Sequence, residues 1–300
     1  MCSNPLVSII VLTFNSANTI EETLDSIYRQ SYKNIELIIT DDASTDVTLQ
    51  VCKDWINRFQ DRFDDVRLIM SNVNTGIASN MNRGCNDAKG IWLKPIAGDD
   101  ILLEDCIELN LKHSDAHPDA EMIFSKLNLI GSQNLINRYC KSFKYGFFDL
   151  THNESYVLLL TSNYIFAPTS FFKKSVFCEL KGFDERMPLL EDWPFWIKAY
   201  SAKKIISFNK NSTVAYRLSD RSVSLSEDVS PLYQYSLDVF NYSFLPEYQK
   251  KKSILLFLYY RTVLTYKQQR FLYKSLILLN PYSYYIKYLK YKMNRNNVII

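Results

Sequence analysis

Short apolar runs alternate with segments of helical periodicity in the N-terminal third of the chain, and this alternation constrains the fold more than any other feature. Four short apolar runs are bounded by turn residues, and they lie at 7–12, 35–39, 66–70 and 91–96. Between them, apolar residues recur at the three- and four-residue spacing that lines one face of a helix. Strands that alternate with helices of this length form βαβ units, and hence a mostly parallel sheet flanked by helices. The predicted fold class is therefore α/β.

The same patterns predict several further features. Thr19, with Glu22 three residues later, predicts a capping box at the start of the first helix. Residues 122–124 have the composition of a strand, and residues 192–202 predict a helix. The stretch 131–153 is predicted to be rich in loops and to help bind an acceptor.

Two pairs of adjacent carboxylates follow predicted strands. Asp41 and Asp42 come after the second strand, and Asp99 and Asp100 come after the fourth. Ligands bind at the carboxyl ends of the strands in such a sheet. The chain has seven glycines and neither a G-x-G-x-x-G motif nor a P-loop, so it lacks a glycine-rich cradle for phosphate. Adjacent carboxylates can hold a diphosphate through Mg²⁺ or Mn²⁺, although in isolation such a pair is more often a solvated turn.

Several sequence blocks occur in the order that is typical of one enzyme family. They are V-S-I-I-V-L-T-F-N at 7–15, E-T-L-D-S-I at 22–27, Q-S-Y at 30–32, E-L-I-I-T-D-D-A-S-T-D at 36–46, N-T-G at 74–76, G-D-D at 98–100, G-F-D-E at 182–185 and L-E-D-W at 190–193. Over about residues 5–225 the chain thus resembles glycosyltransferase family 2. The resemblance implies a GT-A (Rossmann-like) fold and an inverting glycosyltransferase. The expected donor is a nucleotide-diphosphate sugar, most simply a UDP-sugar.

The resemblance also implies roles for the acids and for the end of the first strand. Asp42 matches the residue that accepts a hydrogen bond from a uracil-type base, whereas Asp41 and Asp46 are expected to be turn and cap residues. Asp99 and Asp100 match an Asp-x-Asp-like motif that holds Mn²⁺ or Mg²⁺. Asp100 is expected to contact the metal directly, and Asp99 to bind the ribose or the metal through water. The expected donor-binding residues are Thr13, Phe14, Asn15, Asp42, Asp99 and Asp100.

The L-E-D-W block matches the family's catalytic acids. Asp192 is the expected general base, which takes the proton of the acceptor hydroxyl, and Glu191 is expected to orient it or to touch the acceptor. The alternative is that Asp192 only caps the helix that follows it, although the two roles need not exclude each other. Trp193 and Trp196 could stack on a sugar, but aromatic residues at this spacing are more often part of a core.

The chain departs from the family pattern near the end of the matching region. Many relatives carry a histidine between a Tyr-Arg pair and a Ser-x-Ser motif, whereas Tyr216-Arg217 and the serines at 222 and 224 enclose none. Arg217 or Arg221 is therefore expected to neutralise the leaving diphosphate instead.

The C-terminal region differs in composition from the rest of the chain. The predicted organisation is a glycosyltransferase domain at 1–225 and a helical, aromatic and basic region at 226–300. Eleven lysines and arginines follow Glu247, and no acidic residue does. The region predicts a helical cap on the core or a peripheral anchor at an anionic membrane; nucleic-acid binding is not expected, because no recognised module accompanies the charge.

The remaining features bear on compartment and pathway. The six cysteines are scattered without a C-x-x-C pair, which predicts reduced thiols and hence a cytoplasmic protein. If the C-terminal region is a membrane anchor, the protein is expected at the inner face of the plasma membrane. An anchor suits a lipid-linked saccharide acceptor in the assembly of a surface polysaccharide such as lipopolysaccharide O-antigen or capsule. The alternative is an inactive protein of the same fold that only binds nucleotide sugars or acts as a scaffold.

Overall fold

A computed structural model describes residues 4–139, 143–218, 230–268 and 274–296. In these ranges eight strands form one sheet in the order β3-β2-β1-β4-β7-β6-β8-β5. The strands are β1 (Val7–Thr13), β2 (Ile35–Asp41), β3 (Asp65–Met70), β4 (Trp92–Ala97), β5 (Ile101–Leu102), β6 (Met122–Ile130), β7 (Phe171–Lys173) and β8 (Ile206–Arg217).

Helices cover both faces of this sheet. They are α1 (Ile20–Tyr28), α2 (Thr48–Phe59), α3 (Ile77–Asp87), α4 (Cys106–Ala116), α5 (Gln133–Tyr139), α6 (His152–Leu159), α7 (Lys174–Glu179), α8 (Asp192–Ser201), α9 (Pro231–Val239), α10 (Leu245–Lys252), α11 (Ile254–Gln268), α12 (Lys274–Leu279) and α13 (Pro281–Asn296). The predicted α/β class is confirmed, because helices alternate with parallel strands as far as β4.

The parallel strands end at the same edge of the sheet. In the register of β1 with β2, Thr13 lies opposite Asp41, and in that of β1 with β4, Leu12 lies opposite Ala97. This alignment places the residues after β1, β2 and β4 side by side. Asp42, Asp99 and Asp100 follow the ends of β2 and β4 as predicted, whereas Asp41 is itself the last residue of β2.

The second half of the sheet is mixed. β7 runs antiparallel to both β4 and β6, whereas β6 and β8 are parallel. β5 follows directly on Asp100 and pairs antiparallel with β8, with Ile101 opposite Ala215. The pairing of β5 with β8 therefore places the end of β8 next to the acid pair Asp99–Asp100, which follows β4.

Two local predictions are wrong. Thr19 precedes α1 without capping it, because its hydroxyl donates to the carbonyl oxygen of Gly98 at 2.8 Å, and Glu22 forms an ion pair with Arg217 instead of closing a capping box. The stretch 131–153 is less irregular than predicted, since it contains α5, a 3₁₀ helix at Tyr145–Asp149 and the start of α6. In both cases contacts with distant segments outweigh the local pattern.

The sheet separates two layers of the hydrophobic core. Val7, Ile9 and Val11 pack on one side, whereas Ile10 packs on the other, as the alternation of side chains along a strand requires. The second layer extends into the C-terminal region, where Phe240, Leu245, Leu256 and Leu289 are fully buried. Of the helices after residue 230, α9, α10, α11 and α13 therefore pack on the main core of the protein. Among the described residues, no helix combines the length and apolar character that a membrane span requires.

The burial of α13 predicts a large loss of stability from a single truncation in it. Leu289→Ala should lower the free energy of unfolding by about 2–5 kcal/mol, because it removes a fully buried side chain and leaves a cavity. The adjacent Tyr288 is exposed, so Tyr288→Ala should change that free energy by less than about 0.5 kcal/mol. Denaturant unfolding of the full-length variants measures both values. Equal effects of the two substitutions would contradict the packing of α13 on the core.

Candidate active site

A cleft of about 640 Å³ opens beside the ends of the parallel strands. Asp99 and Asp100 line it together with Glu191 and Asp192, so the fold brings together two acid pairs that are far apart in the sequence. Much of the remaining wall is apolar or aromatic, with rings from Tyr139, Tyr164, Phe166, Trp193, Tyr216 and Tyr233. The cleft thus combines carboxylates with surfaces that suit the apolar faces of sugars and other amphipathic ligands.

Asp100 is held inside the protein. Its Oδ1 accepts a hydrogen bond of 2.8 Å from the backbone N–H of Arg217, while its buried Oδ2 has no partner among the described residues. The guanidinium of Arg217 donates through Nε to the carbonyl oxygen of Asp99 at 2.7 Å and pairs with Glu22. Arg217 therefore lies beside the acid pair, as the sequence suggested for a residue that faces a diphosphate.

The pair Asp99–Asp100 is an electrostatically costly arrangement. Burial raises the pKa of Asp99, which Arg217 opposes, and burial and the neighbouring charge of Asp99 raise the pKa of Asp100 well above its usual value. Two adjacent carboxyls, of which that of Asp100 is buried with one unpartnered oxygen, suit a divalent cation, because hard cations prefer oxygen ligands. Among the described residues, no group of three or more His, Cys, Asp or Glu side chains could hold a metal ion. A cation bound here would therefore need ligands from elsewhere, such as a diphosphate.

A buried lysine that the sequence did not single out lies near this pair. Lys94 is fully buried on β4, and its ammonium donates to the carbonyl oxygens of Pro168 and Ser170, the latter at 3.2 Å. Burial lowers the pKa of Lys94, and the nearby Cys106 and Asp100 oppose that shift. The ammonium fixes the cleft wall at residue 168 and also favours the ionised form of Asp100.

Asp42 is fully engaged by its neighbours. Its carboxylate accepts hydrogen bonds from the backbone N–H groups of Thr75 (3.0 Å) and Gly76 (2.7 Å), from the Thr75 hydroxyl (2.8 Å) and from the guanidinium of Arg83 (2.5 Å). These four bonds fix the N-T-G turn and Arg83 at the sheet edge. The role of Asp42 in binding a nucleotide base stays a prediction. Arg83, which the sequence analysis did not single out, belongs to the same hydrogen-bonded cluster.

The other expected donor-binding residues lie at the end of β1, next to the cleft-lining Leu12. Thr13 is buried, and its hydroxyl has no hydrogen-bond partner within the described chain. Phe14 is 46% exposed. Asn15 has a φ of 50°, and its side-chain oxygen accepts from the backbone N–H of Thr45 at 2.8 Å. The residues present a hydroxyl and an aromatic ring, and their contact with a nucleotide stays a prediction.

The turn roles expected for two other acids are visible in the hydrogen bonds. Asp41 accepts from the backbone N–H and the hydroxyl of Ser44, at 2.8 and 2.5 Å. Asp46 accepts from the backbone N–H groups of Thr48 and Ala17, at 3.0 and 3.2 Å. Both carboxylates therefore shape the loop between β2 and α2.

Asp192 is the first residue of α8. Its Oδ1 accepts from the backbone N–H of Trp193 at 2.6 Å, and its Oδ2 accepts from the side-chain amide of Asn163 at 2.9 Å. Burial raises its pKa, while these hydrogen bonds oppose the shift. Burial and the charge of Asp192 raise the pKa of Glu191 to about 8. A half-buried carboxylate with a raised pKa, oriented by an amide and open to a cleft, has the properties of a general base.

The two tryptophans of α8 differ in position. Trp196 is 2% exposed and packs edge-on against Phe124, so it belongs to the core. Trp193 lines the cleft, where its indole N–H donates to the carbonyl oxygen of Leu159 at 2.8 Å and its ring packs against Phe240. Stacking on a sugar is therefore possible only for Trp193.

Comparisons with known proteins identify the family. The model of "Glycosyl transferase family 2" matches residues 8–176, which is more than half of the chain. The chain belongs to glycosyltransferase family 2. It is 27% identical over 223 residues to an uncharacterized glycosyltransferase of Haemophilus influenzae, covering 73% of this chain and 68% of that protein. It is 28% identical over 213 residues to a PGL/p-HBAD biosynthesis glycosyltransferase of Mycobacterium bovis, and the match covers 70% of this chain and 76% of that protein. EpsE of Bacillus subtilis is 34% identical over 123 residues, and this match spans 43% of its length.

Solved structures agree on the fold. Residues 1–349 of TarS of S. aureus, in complex with UDP-GlcNAc, have a TM-score of 0.66 and 19% identity, over 86% of this chain and 73% of that TarS chain. The mannosyltransferase PcManGT of Pyrobaculum calidifontis, in complex with GDP-Man and Mn²⁺, has a TM-score of 0.55 and 16% identity. This match covers 98% of this chain and 87% of the PcManGT chain. The expected GT-A fold and glycosyltransferase family are thereby confirmed. Of the site residues predicted for this glycosyltransferase, Arg221 lies outside the described ranges.

Sequence reasoning missed the residues that support the acids from distant segments. Asn163 orients Asp192 from 29 positions away, and Tyr233 enters the cleft from the C-terminal region. Neither residue belongs to a recognisable block, so the sequence offered no signal for them.

The raised pKa of Glu191 predicts how stability depends on pH. The folded state holds this proton up to about pH 8, whereas the unfolded chain releases it near 4.5, so burying Glu191 destabilises the wild-type protein progressively as pH rises through this window. Glu191→Gln removes this titration, so its free energy of unfolding should fall less between about pH 5 and about pH 8. Denaturant unfolding across this range measures the slopes, with the exposed Glu104→Gln as the control. A slope unchanged by Glu191→Gln would show that Glu191 is not held protonated.

Proposed function

We propose that this family 2 glycosyltransferase transfers one sugar, with inversion, from a nucleotide-diphosphate donor to a hydroxyl of a saccharide acceptor. The observation that carries the proposal is the meeting of two acid pairs, Asp99–Asp100 and Glu191–Asp192, in one cleft. A UDP-sugar is the expected donor, which the complex of TarS with UDP-GlcNAc supports.

Asp192 acts as the general base. As the acceptor oxygen attacks the anomeric carbon, the O–H proton passes to the Asp192 carboxylate, the new C–O bond forms, and the bond to the diphosphate breaks on the opposite face. Asn163 holds one carboxylate oxygen at 2.9 Å and thereby fixes its direction. Glu191 stays protonated at neutral pH because of burial, so it leaves a single negative charge at the base.

The donor lies along the edge formed by β1, β2 and β4. Asp99 and Asp100 would hold Mn²⁺ or Mg²⁺, and a bound cation would neutralise the charge of the diphosphate as it leaves. The complex of PcManGT with Mn²⁺ supports this requirement. Arg217, which borders Asp99, adds a fixed positive charge. Thr13, Phe14, Asn15 and Asp42 would form the nucleotide end of the site, either directly or, for Asp42, through the turn that it fixes.

A donor screen and three variants test this function. Slow hydrolysis of a panel of nucleotide sugars with Mn²⁺ should release nucleotide from one donor. Asp192→Asn should then lower turnover by about 10²- to 10⁴-fold with donor affinity nearly unchanged, because only the base is lost. Asp100→Asn should instead weaken Mn²⁺-dependent donor binding, and the exposed Asp61→Asn should alter neither quantity.

Two results would contradict the proposal. Release of nucleotide from none of the donors would favour the inactive nucleotide-sugar-binding or scaffold protein. If Asp192→Asn lowers only the folded fraction, and turnover per folded molecule is unchanged, Asp192 has a structural role at the start of α8 and is not the base; it is not the N-cap of that helix, since Glu191 holds that position.

We propose that residues 1–225 carry the donor and the catalytic acids, and that residues 226–300 add a membrane-facing surface. α13 supports this by its two faces: Ile286, Leu289 and Met293 are buried, whereas the other face exposes Tyr284, Tyr288 and Tyr291 beside Lys287 and Lys290. Exposed tyrosines suit the headgroup level of a membrane, and lysines favour anionic lipid. The acceptor would then be a lipid-linked saccharide, used at the inner face of the plasma membrane in the assembly of a surface polysaccharide such as O-antigen or capsule.

Liposome sedimentation tests this surface. The full-length protein should sediment with anionic vesicles at low salt and be released at high salt, because the attraction is electrostatic and screened by ions. Lys287→Glu combined with Lys290→Glu should reduce the bound fraction several-fold. Lys53→Glu combined with Lys210→Glu, at exposed positions elsewhere, makes the same change of net charge and should reduce it much less. Equal loss in both double variants would reject α13 as the contact surface.

A further inference from the structure

The helix α9 forms one wall of the catalytic cleft. Tyr233 and Leu237, one helical turn apart on α9, both line the cleft. Both lie beyond residues 8–176 that the family model matches, so family membership assigns them no role. The wall is therefore a feature of this chain's C-terminal region.

Two contacts fix α9 to the segment that carries the proposed base. The hydroxyl of Ser236, which is fully buried, accepts a hydrogen bond of 3.2 Å from the backbone N–H of Leu189. Just beyond α9, the ring of Phe240 packs against Trp193 with centroids 4.4 Å apart. These contacts lie on either side of the Glu191–Asp192 pair in the sequence, so α9 is positioned relative to both carboxylates.

The phenol of Tyr233 is a polar group near those carboxylates. Burial raises the pKa of Tyr233, and the charges of Asp192 and Glu191 raise it further, so the hydroxyl stays protonated. No hydrogen bond to another described residue occupies this hydroxyl. A half-buried phenol that can both donate and accept, located beside a base in an open cleft, suits a hydroxyl group of the substrate.

The surface around Tyr233 is apolar. Leu237 continues the α9 wall, Leu189 and Leu190 lead into the carboxylate pair, and Ile165 and Phe166 lie on the wall that Lys94 helps to hold. The CH face of one sugar ring uses only part of such a surface. The rest suits an apolar group attached to the acceptor sugar.

We propose that α9 forms the acceptor subsite, in which the Tyr233 hydroxyl binds a hydroxyl of the acceptor sugar beside Asp192 and Leu237 contacts an apolar aglycone. The acceptor class is thus a glycoside with an apolar aglycone, either alkyl or aryl. This inference rests on the proposed role of Asp192 as the base, and Tyr233 serves to position the acceptor sugar.

Acceptor kinetics with defined glycosides test the role of Tyr233. The probes are the methyl, octyl and 4-nitrophenyl glycosides of one panel of sugars, with the nucleotide sugar selected by the donor screen. Tyr233→Phe should raise the acceptor KM by about 3- to 10-fold, as expected for one lost hydrogen bond, with little change in kcat, donor KM or melting temperature. Tyr235→Phe is the matched control, because Tyr235 lies on the same helix and is 55% exposed.

The same probes test the aglycone. The wild-type enzyme should have a higher kcat/KM for octyl or 4-nitrophenyl glycosides than for the methyl glycoside of the same sugar. A higher value for the octyl glycoside indicates an alkyl aglycone, and a higher value for the 4-nitrophenyl glycoside indicates an aryl aglycone. Leu237→Ala should reduce this preference about 3- to 10-fold, since it removes apolar contact area. Leu232→Ala, at an exposed position of α9, should leave the preference unchanged.

Binding without donor provides a second measurement. Octyl glycoside can be titrated against the full-length protein by tryptophan fluorescence, because Trp193 lines the cleft. Equal acceptor affinities of Tyr233→Phe and Tyr235→Phe, or no preference for an apolar aglycone, would overturn the α9 subsite. Full transfer by Asp192→Asn would instead overturn the proposed base, so the two failures are distinguishable.

Discussion

The backbone N–H of Arg217 donates to the buried carboxylate of Asp100, and this hydrogen bond joins segments 117 residues apart. Directly after Asp100, the pairing of β5 with β8 continues the same connection through Ile101 and Ala215. A buried carboxylate that lost this donor would be left with two unsatisfied oxygens, which is costly. The position of β8 against the end of β4, and with it the geometry of the cleft, therefore depends on this contact.

The cleft concentrates acids with raised pKa values, and the surrounding structure partly compensates for them. Burial raises the pKa of Asp100, and the fully buried ammonium of Lys94 and the charge of Arg217 oppose that shift. Asn163 provides the corresponding support for Asp192. Acids held in this way are poorly solvated, so their ionisation responds strongly to a nearby cation or proton donor. Such costs are expected where a site is built for ligands and not for stability.

The C-terminal helices combine packing with a different surface chemistry. Their inner side chains, such as Phe240 and Leu289, belong to the main core, whereas their outer face carries exposed tyrosines and lysines. The two readings of the basic tail, as a cap and as a surface for anionic lipid, are therefore compatible on one helix. α9 adds a third contribution, since Tyr233 and Leu237 line the cleft that also contains the two acid pairs.

The sequence by itself determined the alternating strands and helices up to β4, the acids at the ends of β2 and β4, and the family, because these depend on periodicity and on short ordered blocks. It could not determine which distant groups meet. Thr19 and Glu22 have the spacing of a capping box, yet their partners are the carbonyl oxygen of Gly98 and the guanidinium of Arg217, which is 195 positions from Glu22. Only the tertiary structure placed Asn163 against Asp192 and Tyr233 in the cleft, because such contacts arise from the packing of whole elements and leave no local pattern in the chain.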